Sequence, residues 1–332
     1  MPLISVLIPA YNVDSFIGGC LESLKKQTFR DFEVIIVNDG STDRTRSIIE
    51  QHIENDRRFM CFNQKNSGVV KTRKLAAIKA SGKYVVVVDG DDFIGEEYLQ
   101  EFAAAIDFYH PDVIISGYCQ NSPSGKEIVL PGIEPGFYDR EGCESSILTK
   151  VMENEKGMAV SPTLWAKCFR LELYKKWQLN VEDEIKMGED SVCVVPCLID
   201  SNSVVVINSA HYFYNFNPTS LTHIGKVYSV RDPVIQAKML YKSVDLSRFD
   251  YMQQFYRMIV RHVFVVACSL FNQEKPDREI KLDINCLLSE SDIKGCIKNC
   301  HYSMFYLKGI MMRMVLKYRI FPIMKYYAKN KI

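Results

Sequence analysis

Five short, mostly apolar runs, at residues 5–9, 32–37, 59–62, 84–88 and 113–118, alternate with stretches of helical periodicity. A strand that is apolar at nearly every position must be buried on both faces, and strands joined through helices pair in parallel. The first 120 residues therefore read as an α/β domain with a mostly parallel central sheet flanked by helices. Phe16, Ile17, Cys20, Leu21 and Leu24 fall on one helical face, with Asp14 or Ser15 as cap. Further helices are expected near 43–54, 69–80 and 96–109. Ligands of such sheets bind beyond the carboxyl ends of the strands. Three polar clusters stand at those ends, after Pro9, at Asp39 and at Asp89, and so point to one shared site.

Beyond residue 120 the alternation loosens. Residues 121–139 carry Pro and Gly turns and read as a loop or hairpin. Helices are expected at 140–151, 171–177 and 190–199, and strands at 204–207 and 211–216. After Arg231 the chain reads as helical throughout. The expected organisation is one domain over 1–230, made of a regular half at 1–120 and a looser half at 121–230, followed by a helical extension at 231–332. With 47% apolar and 24% charged residues, such a chain buries a sizeable core. A net charge of +1 gives no global attraction to nucleic acid, and no nucleic-acid partner is expected.

The eleven cysteines are scattered. Cys193/Cys197 and Cys296/Cys300 have three intervening residues and lack histidine partners, so reduced core thiols are expected rather than a zinc knuckle or a disulfide framework. The N-terminus lacks a basic n-region and a long apolar stretch. The longest uncharged apolar run, 263–271, falls well short of the ~20 residues of a membrane span. The expectation is a cytoplasmic chain, soluble or peripheral.

The densest acidic motif is Asp89-Gly90-Asp91-Asp92, directly after a β-branched run. Three carboxylates in four positions repel one another unless a cation or solvent compensates. Carboxylates suit Mg²⁺ or Mn²⁺, which take one or two of them together with phosphate oxygens. Gly90 allows a ligand close approach. The competing reading is an acidic turn capping the helix expected near Glu96. Asp39, in Asn38-Asp39-Gly40-Ser41, either serves a turn or accepts hydrogen bonds from a base or ribose. Asn66-Ser67-Gly68 opens a helix. It either offers backbone N–H groups to an anion, with Arg73 pairing a diphosphate, or is an ordinary helix start. In Gly188-Glu189-Asp190 a carboxylate at a helix start could take a proton, or Asp190 could be an N-cap. His211 and His223 could complete a metal shell or simply pack.

Taken in order, Pro9-Ala10-Tyr11-Asn12, Val37-Asn38-Asp39-Gly40-Ser41-Thr42-Asp43, Asn66-Ser67-Gly68 with Arg73, Asp89-Gly90-Asp91-Asp92 and Gly188-Glu189-Asp190 resemble the family 2 glycosyltransferases with the GT-A fold. Trp165–Arg170 looks like a further family segment. The resemblance spans roughly residues 3–222. It departs at Thr72-Arg73-Lys74-Leu75-Ala76, where members often read Ala-Arg-Asn-x-Gly, and at Asn215 and Asn217, where a basic residue is frequent. It implies an inverting, metal-dependent transfer from a nucleotide-diphosphate sugar, usually of uracil, to a glycan or lipid-linked acceptor. Pro9, Tyr11 and Asp39 would hold the base, with Asn12, Asn66 and Gly68 in the same motifs. Arg73 would lie near base or diphosphate, Asp89 and Gly90 near ribose or metal, and Asp91 on the Mn²⁺ or Mg²⁺. Asp190 would be the general base and Glu189 would orient the acceptor. A nucleotidyltransferase would carry a Gly-rich loop near the first strand, and a dehydrogenase a G-x-G-x-x-G there. Neither is present. A non-catalytic nucleotide-sugar-binding subunit would be expected to lose the acidic motifs.

Residues 301–332 hold seven Lys or Arg and no acid, with Leu307, Met311, Met314, Val315 and Tyr318 at helical spacing. This basic amphipathic pattern suits the inner leaflet of an anionic membrane, and equally a face packed on the catalytic domain or a partner subunit; an oligomer is compatible with it.

Overall fold

The computed structural model describes residues 1–122, 125–215, 217 and 227–331. They form two compact units. The first contains residues 1–145, 163–183 and 200–216, and the second 146–162, 184–199 and 217–332.

The first unit is built on an eight-stranded sheet. Its order is Phe59–Asn63, Phe32–Asn38, Ile4–Ala10, Tyr84–Val87, Lys167–Arg170, Val113–Ile115, Val204–Val206 and Gly136–Tyr138. Six strands run one way; Lys167–Arg170 and Gly136–Tyr138 oppose their neighbours. The central strand Ile4–Ala10 pairs in parallel on both sides, with Ala10 opposite Asn38 and Leu7 opposite Val87. Every residue of Phe32–Asn38 and Tyr84–Val87 is buried, as two-sided coverage requires. Helices Ile17–Lys25, Thr45–Ile53, Val69–Lys79 and Tyr98–Tyr109 make the connections, close to their expected positions.

Four features differ from expectation. The helix Ile17–Lys25 starts after Phe16 with no side-chain cap, rather than at Asp14 or Ser15. The run expected at 113–118 is cut in two. Val113–Ile115 stays in the large sheet, while Tyr118–Ser122 joins a second sheet ordered Phe93–Ile94, Tyr212–Tyr214, Tyr118–Ser122, Gly125–Val129. Gly117 permits the switch, since a Cβ there would lie 2.7 Å from the Val129 carbonyl oxygen. Lys167–Arg170 is a strand where none was expected. The helix expected over 140–151 is one α-turn, Arg140–Gly142, followed by tighter and wider turns to Lys150.

In the second unit the helix Tyr251–Ser269 is the core, with 14 residues buried. Helices Asp232–Ser243, Ser291–Asn299, Leu307–Lys317 and Phe321–Lys331 pack on it, as does the strand Glu153–Asn154. Tyr251–Asn272 is long and apolar enough to cross a membrane, but 83% of its apolar window is buried among these elements. Nine of the eleven cysteines are buried, and all are free thiols.

Candidate functional site

The aligned carboxyl ends of the three central strands bring the first polar clusters together. Beyond Ala10 the chain turns through Tyr11, 48% exposed, and Asn12, which adopts a left-handed φ of 50°. The Asn12 backbone N–H donates to Ser41 Oγ at 3.1 Å, and its side-chain oxygen accepts from the Thr42 N–H at 2.9 Å. Asn12 thus stitches the first strand end to the second.

Asp39 follows at the second strand end and is 4% exposed. Its Oδ1 accepts from Gln64 Nε2 (2.7 Å), the Ser67 N–H (2.8 Å) and Ser67 Oγ (3.2 Å); its Oδ2 accepts from the Gly68 N–H (2.9 Å). Gly68 precedes the helix Val69–Lys79, so Asp39 meets the free amides of a helix start, where negative charge is favoured. Gly40 must be glycine: its φ is 69°, and a Cβ would stand 2.6 Å from the backbone N of the exposed Asn66. A buried carboxylate with this many donors is rigid. Gln64, which sequence reasoning passed over, also bonds Ser67 and Thr72.

At the third strand end, Gly90 packs under the first turn, where a Cβ would lie 3.1 Å from the Pro9 carbonyl oxygen. Arg73, buried on Val69–Lys79, directs Nη2 to 3.4 Å from Asp89 Oδ1. Asp89 and Asp91 are partly exposed, whereas Asp92, expected at the start of the following helix, turns inward and is 1% exposed. Tyr212 Oη donates to Asp92 at 2.6 Å and the Asn215 N–H at 2.8 Å. Burial, and then the neighbouring Asp89 and Asp91 charges, push the Asp92 carboxyl up to about 9. Asn215 also donates through Nδ2 to the Asp91 carbonyl at 3.0 Å and accepts from Asn121. Asn215, just beyond the strand Tyr212–Tyr214, therefore pins the acidic turn from more than 120 residues away. Trp165 stacks on Tyr212 and on Tyr214, with centroids 4.9 and 5.4 Å apart, which fixes the tyrosine beneath the turn. The aromatic alternation at 212–214 was the only sequence sign of this support.

For a metal, Asp89 and Asp91 supply hard oxygen donors that remain partly accessible. No group of three His, Cys, Asp or Glu side chains poised to hold a metal occurs among the described residues. A Mg²⁺-type ion needs only one or two carboxylates when diphosphate oxygens and water complete its shell, so the donor set fits. The His211 ring packs against Gly95; His223 lies outside the described residues.

Glu189 and Asp190 belong to the second unit and open the helix Glu189–Asp200. The turn before them rests on a buried side-chain chain. Ser191 Oγ donates to the Gly188 carbonyl at 2.6 Å, Gln236 Nε2 donates to Ser191 Oγ at 2.6 Å, and His262 Nδ1 lies 2.8 Å from Gln236 Oε1. The Gln236 amide oxygen is an acceptor, so Nδ1 carries the proton. Burial lowers the His262 pKa to about 3, so the ring stays neutral. Gly188 has φ 85°, and a Cβ would meet Gln236 Nε2 at 2.9 Å and His262 Cε1 at 3.0 Å.

Known proteins resemble this chain in part of its sequence and in its fold. Residues 5–166 match the family model described as Glycosyl transferase family 2. The uncharacterized glycosyltransferase EpsJ of Bacillus subtilis is 30% identical over 68% of this chain and 64% of its own length. The poly(ribitol-phosphate) beta-N-acetylglucosaminyltransferase TarS of Staphylococcus aureus is 30% identical over 63% of this chain and 35% of its own. The chain thus spans less than two thirds of these relatives. The crystal structure of S. aureus TarS 1-349 in complex with UDP-GlcNAc superposes with a TM-score of 0.56 at 21% identity, covering 99% of this chain and 88% of that one, a likeness of fold. The fold is GT-A, and residues 5–166 match the family 2 glycosyltransferases.

Proposed function

We propose that this chain transfers a sugar from a UDP-sugar, a hexose or N-acetylhexosamine, to a hydroxyl of a glycan or lipid-linked saccharide, with inversion and with a divalent cation. The observation that carries this is the alignment, at neighbouring strand ends, of a rigid acceptor carboxylate (Asp39) with a partly exposed pair (Asp89 and Asp91) backed by Arg73. The relative TarS, whose structure holds UDP-GlcNAc, supports the donor class. In functional terms residues 1–120 bind the nucleotide, 121–230 face the acceptor and 231–332 are a helical extension. Eleven free thiols fit a reducing compartment such as the cytoplasm.

Pro9, Tyr11 and Asp39 hold the base, with Asn12, Asn66 and Gly68 shaping that end, and Asp89 and Gly90 face the ribose and diphosphate. Asp91, with Asp89, would hold Mn²⁺ or Mg²⁺, whose chemistry is to compensate the charge gathering on the leaving diphosphate. Arg73 adds a fixed positive charge behind Asp89. Asp190 removes the proton from the acceptor hydroxyl as its oxygen attacks the anomeric carbon from the face opposite the diphosphate. Glu189 orients the acceptor. One displacement inverts the centre, so no covalent nucleophile is required. The non-catalytic alternative lacks a supporting observation, since every acidic motif is retained.

The test is release of nucleotide from a panel of nucleotide sugars with Mn²⁺ or Mg²⁺. Asp91→Ala and Asp190→Asn are each expected to lower transfer by about 10²–10⁴-fold, the range of a lost acid–base group. Only Asp91→Ala should weaken metal-dependent UDP binding. Full activity in Asp190→Asn would remove it as the base.

A further inference from the structure

The C-terminal helices resolve a choice that their sequence left open, because their apolar residues divide between two faces. In Leu307–Lys317, Met312, Val315 and Leu316 are 1–2% exposed and belong to the face that packs on the core helix Tyr251–Ser269. A second stripe is turned outward. Leu307 is 73% exposed, Met314 49% and Tyr318 62%, and with Met311 they follow the spacing of one helical face. The preceding turn extends this stripe with Met304, 74% exposed, and Phe305, 85% exposed, which equals Met1 as the most exposed large apolar side chain among the described residues. Inward packing therefore accounts for Val315 and leaves the rest of the apolar pattern unexplained.

Charge distinguishes the occupants that could cover such a stripe. Residues 301–332 carry seven bases and no acid, while the other 300 residues carry 40 acids and 34 bases. Among the described residues, Arg313 donates to the Ile297 and Lys298 carbonyls, Lys325 pairs with Asp277, and Lys317 lies over the neighbouring Tyr318 ring. Lys308, Lys317 and Arg319 are exposed, and the first two flank the apolar stripe on either side. In the next helix, Phe321–Lys331, Ile323, Tyr326 and Lys329 are outward while Met324 and Ala328 are buried. Apolar and aromatic side chains bordered by cations complement a surface that is apolar below and anionic above. A second copy of this strongly basic segment would meet it with like charge.

The geometry points to this outward face, from Met304 to Tyr318, as a docking surface for an anionic lipid bilayer: Phe305 and Leu307 enter the headgroup region, and Lys308, Lys317 and Arg319 lie against lipid phosphates. This goes beyond the transfer reaction and does not depend on it. Binding is peripheral and reversible, since a few inserted side chains and several cations give far less than a spanning helix.

The full-length protein is sedimented with vesicles of phosphatidylcholine mixed with phosphatidylglycerol and, separately, with phosphatidylcholine alone. Binding is expected on the anionic vesicles only, and should weaken as salt rises. Lys317→Ala/Arg319→Ala should weaken it about 30-fold, from roughly fivefold per cation at such a surface. Phe305→Ser/Leu307→Ser should weaken it at least about tenfold, with an unchanged thermal melt because both side chains are exposed. Val315→Ser, on the packed face, should instead lower the melting temperature. Failure to bind anionic vesicles, equal binding to neutral ones, or undiminished binding of both double variants overturns the proposal. A concentration-dependent dimer abolished by Phe305→Ser/Leu307→Ser, without vesicle binding, assigns the face to a second copy and overturns it equally.

Discussion

Asp39 and the Glu189-Asp190 pair both present carboxylates at the N-terminal end of a helix, yet the two regions hold them by different means. Around Asp39 all four donors come from residues 64–68, and the carboxylate sits at the end of a strand paired along its full length. Its position follows from the sheet register. The turn before Glu189 has no sheet to define it. It is held by Ser191, Gln236 and His262, residues on three different helices of the helical unit. A sheet end makes a site from local sequence, because parallel pairing aligns successive strand ends. A helical unit must assemble its site from side chains distant in sequence, and is correspondingly easier to break by one substitution remote from the chemistry.

Gly188→Ala should separate the two regions most strongly. The positive φ and the 2.9 Å approach to Gln236 Nε2 leave no room for a methyl group without moving the turn or the chain behind it. Displacement of a catalytic group by about 1 Å can cost on the order of 10²-fold in rate. Transfer is expected to fall about 10–100-fold, while UDP affinity measured by calorimetry stays at the wild-type value. Loss of UDP affinity in the same proportion would show that the two regions do not act separately.

Asp39→Asn is the converse. The side chain keeps its shape but loses one acceptor oxygen, so the Gly68 or Ser67 N–H faces an amide N–H instead. An unsatisfied buried donor costs about 1–3 kcal/mol. The expected outcome is UDP binding weakened about tenfold or more and a lower melting temperature, with the transfer rate at saturating donor changed least. A rate loss at unchanged UDP affinity would contradict this division of labour between the two regions.

The same contrast explains what could be read from the sequence. The strands ending at Ala10, Asn38 and Val87, and the clusters after them, were legible because each is a buried apolar run followed directly by its polar residues. Lys167–Arg170 was not. It is four residues long with a charge at either end, and its place between Tyr84–Val87 and Val113–Ile115 is set by pairing alone. Tyr212 and Asn215 carry no local mark of their partnership with Asp92, some 120 residues earlier. Gln236 and His262 sit in helices whose periodicity reports burial and says nothing of which turn their polar atoms support. Long-range polar contacts leave no period in a sequence, so the support of both carboxylate regions emerges only from the fold.

The smallest expected effect extends the comparison to a carboxylate that has almost no support. Glu153, in the helical unit, is 0% exposed, and among the described residues neither of its oxygens accepts a hydrogen bond. The Arg261 guanidinium stands 3.9 Å away. Burial raises the Glu153 pKa from 4.5 to about 7, against the smaller opposing pull of Arg261, Lys308 and Arg257. Below about pH 4.5 the group is protonated in both folded and unfolded chains and costs nothing by this route. Between 4.5 and 7 the unfolded chain ionises first, so stability falls as pH rises, and above 7 the full penalty applies. Glu153→Gln removes the charge with little change of volume. It should leave the melting temperature unchanged near pH 4.5 and raise it at pH 8, by an amount equivalent to about 1–3 kcal/mol. Melts of both proteins across this range check the sign. A Glu153→Gln protein less stable at pH 8 would mean that the pair with Arg261 outweighs burial, and would bring Glu153 closer to the well-supported Asp39 than its missing hydrogen bonds suggest.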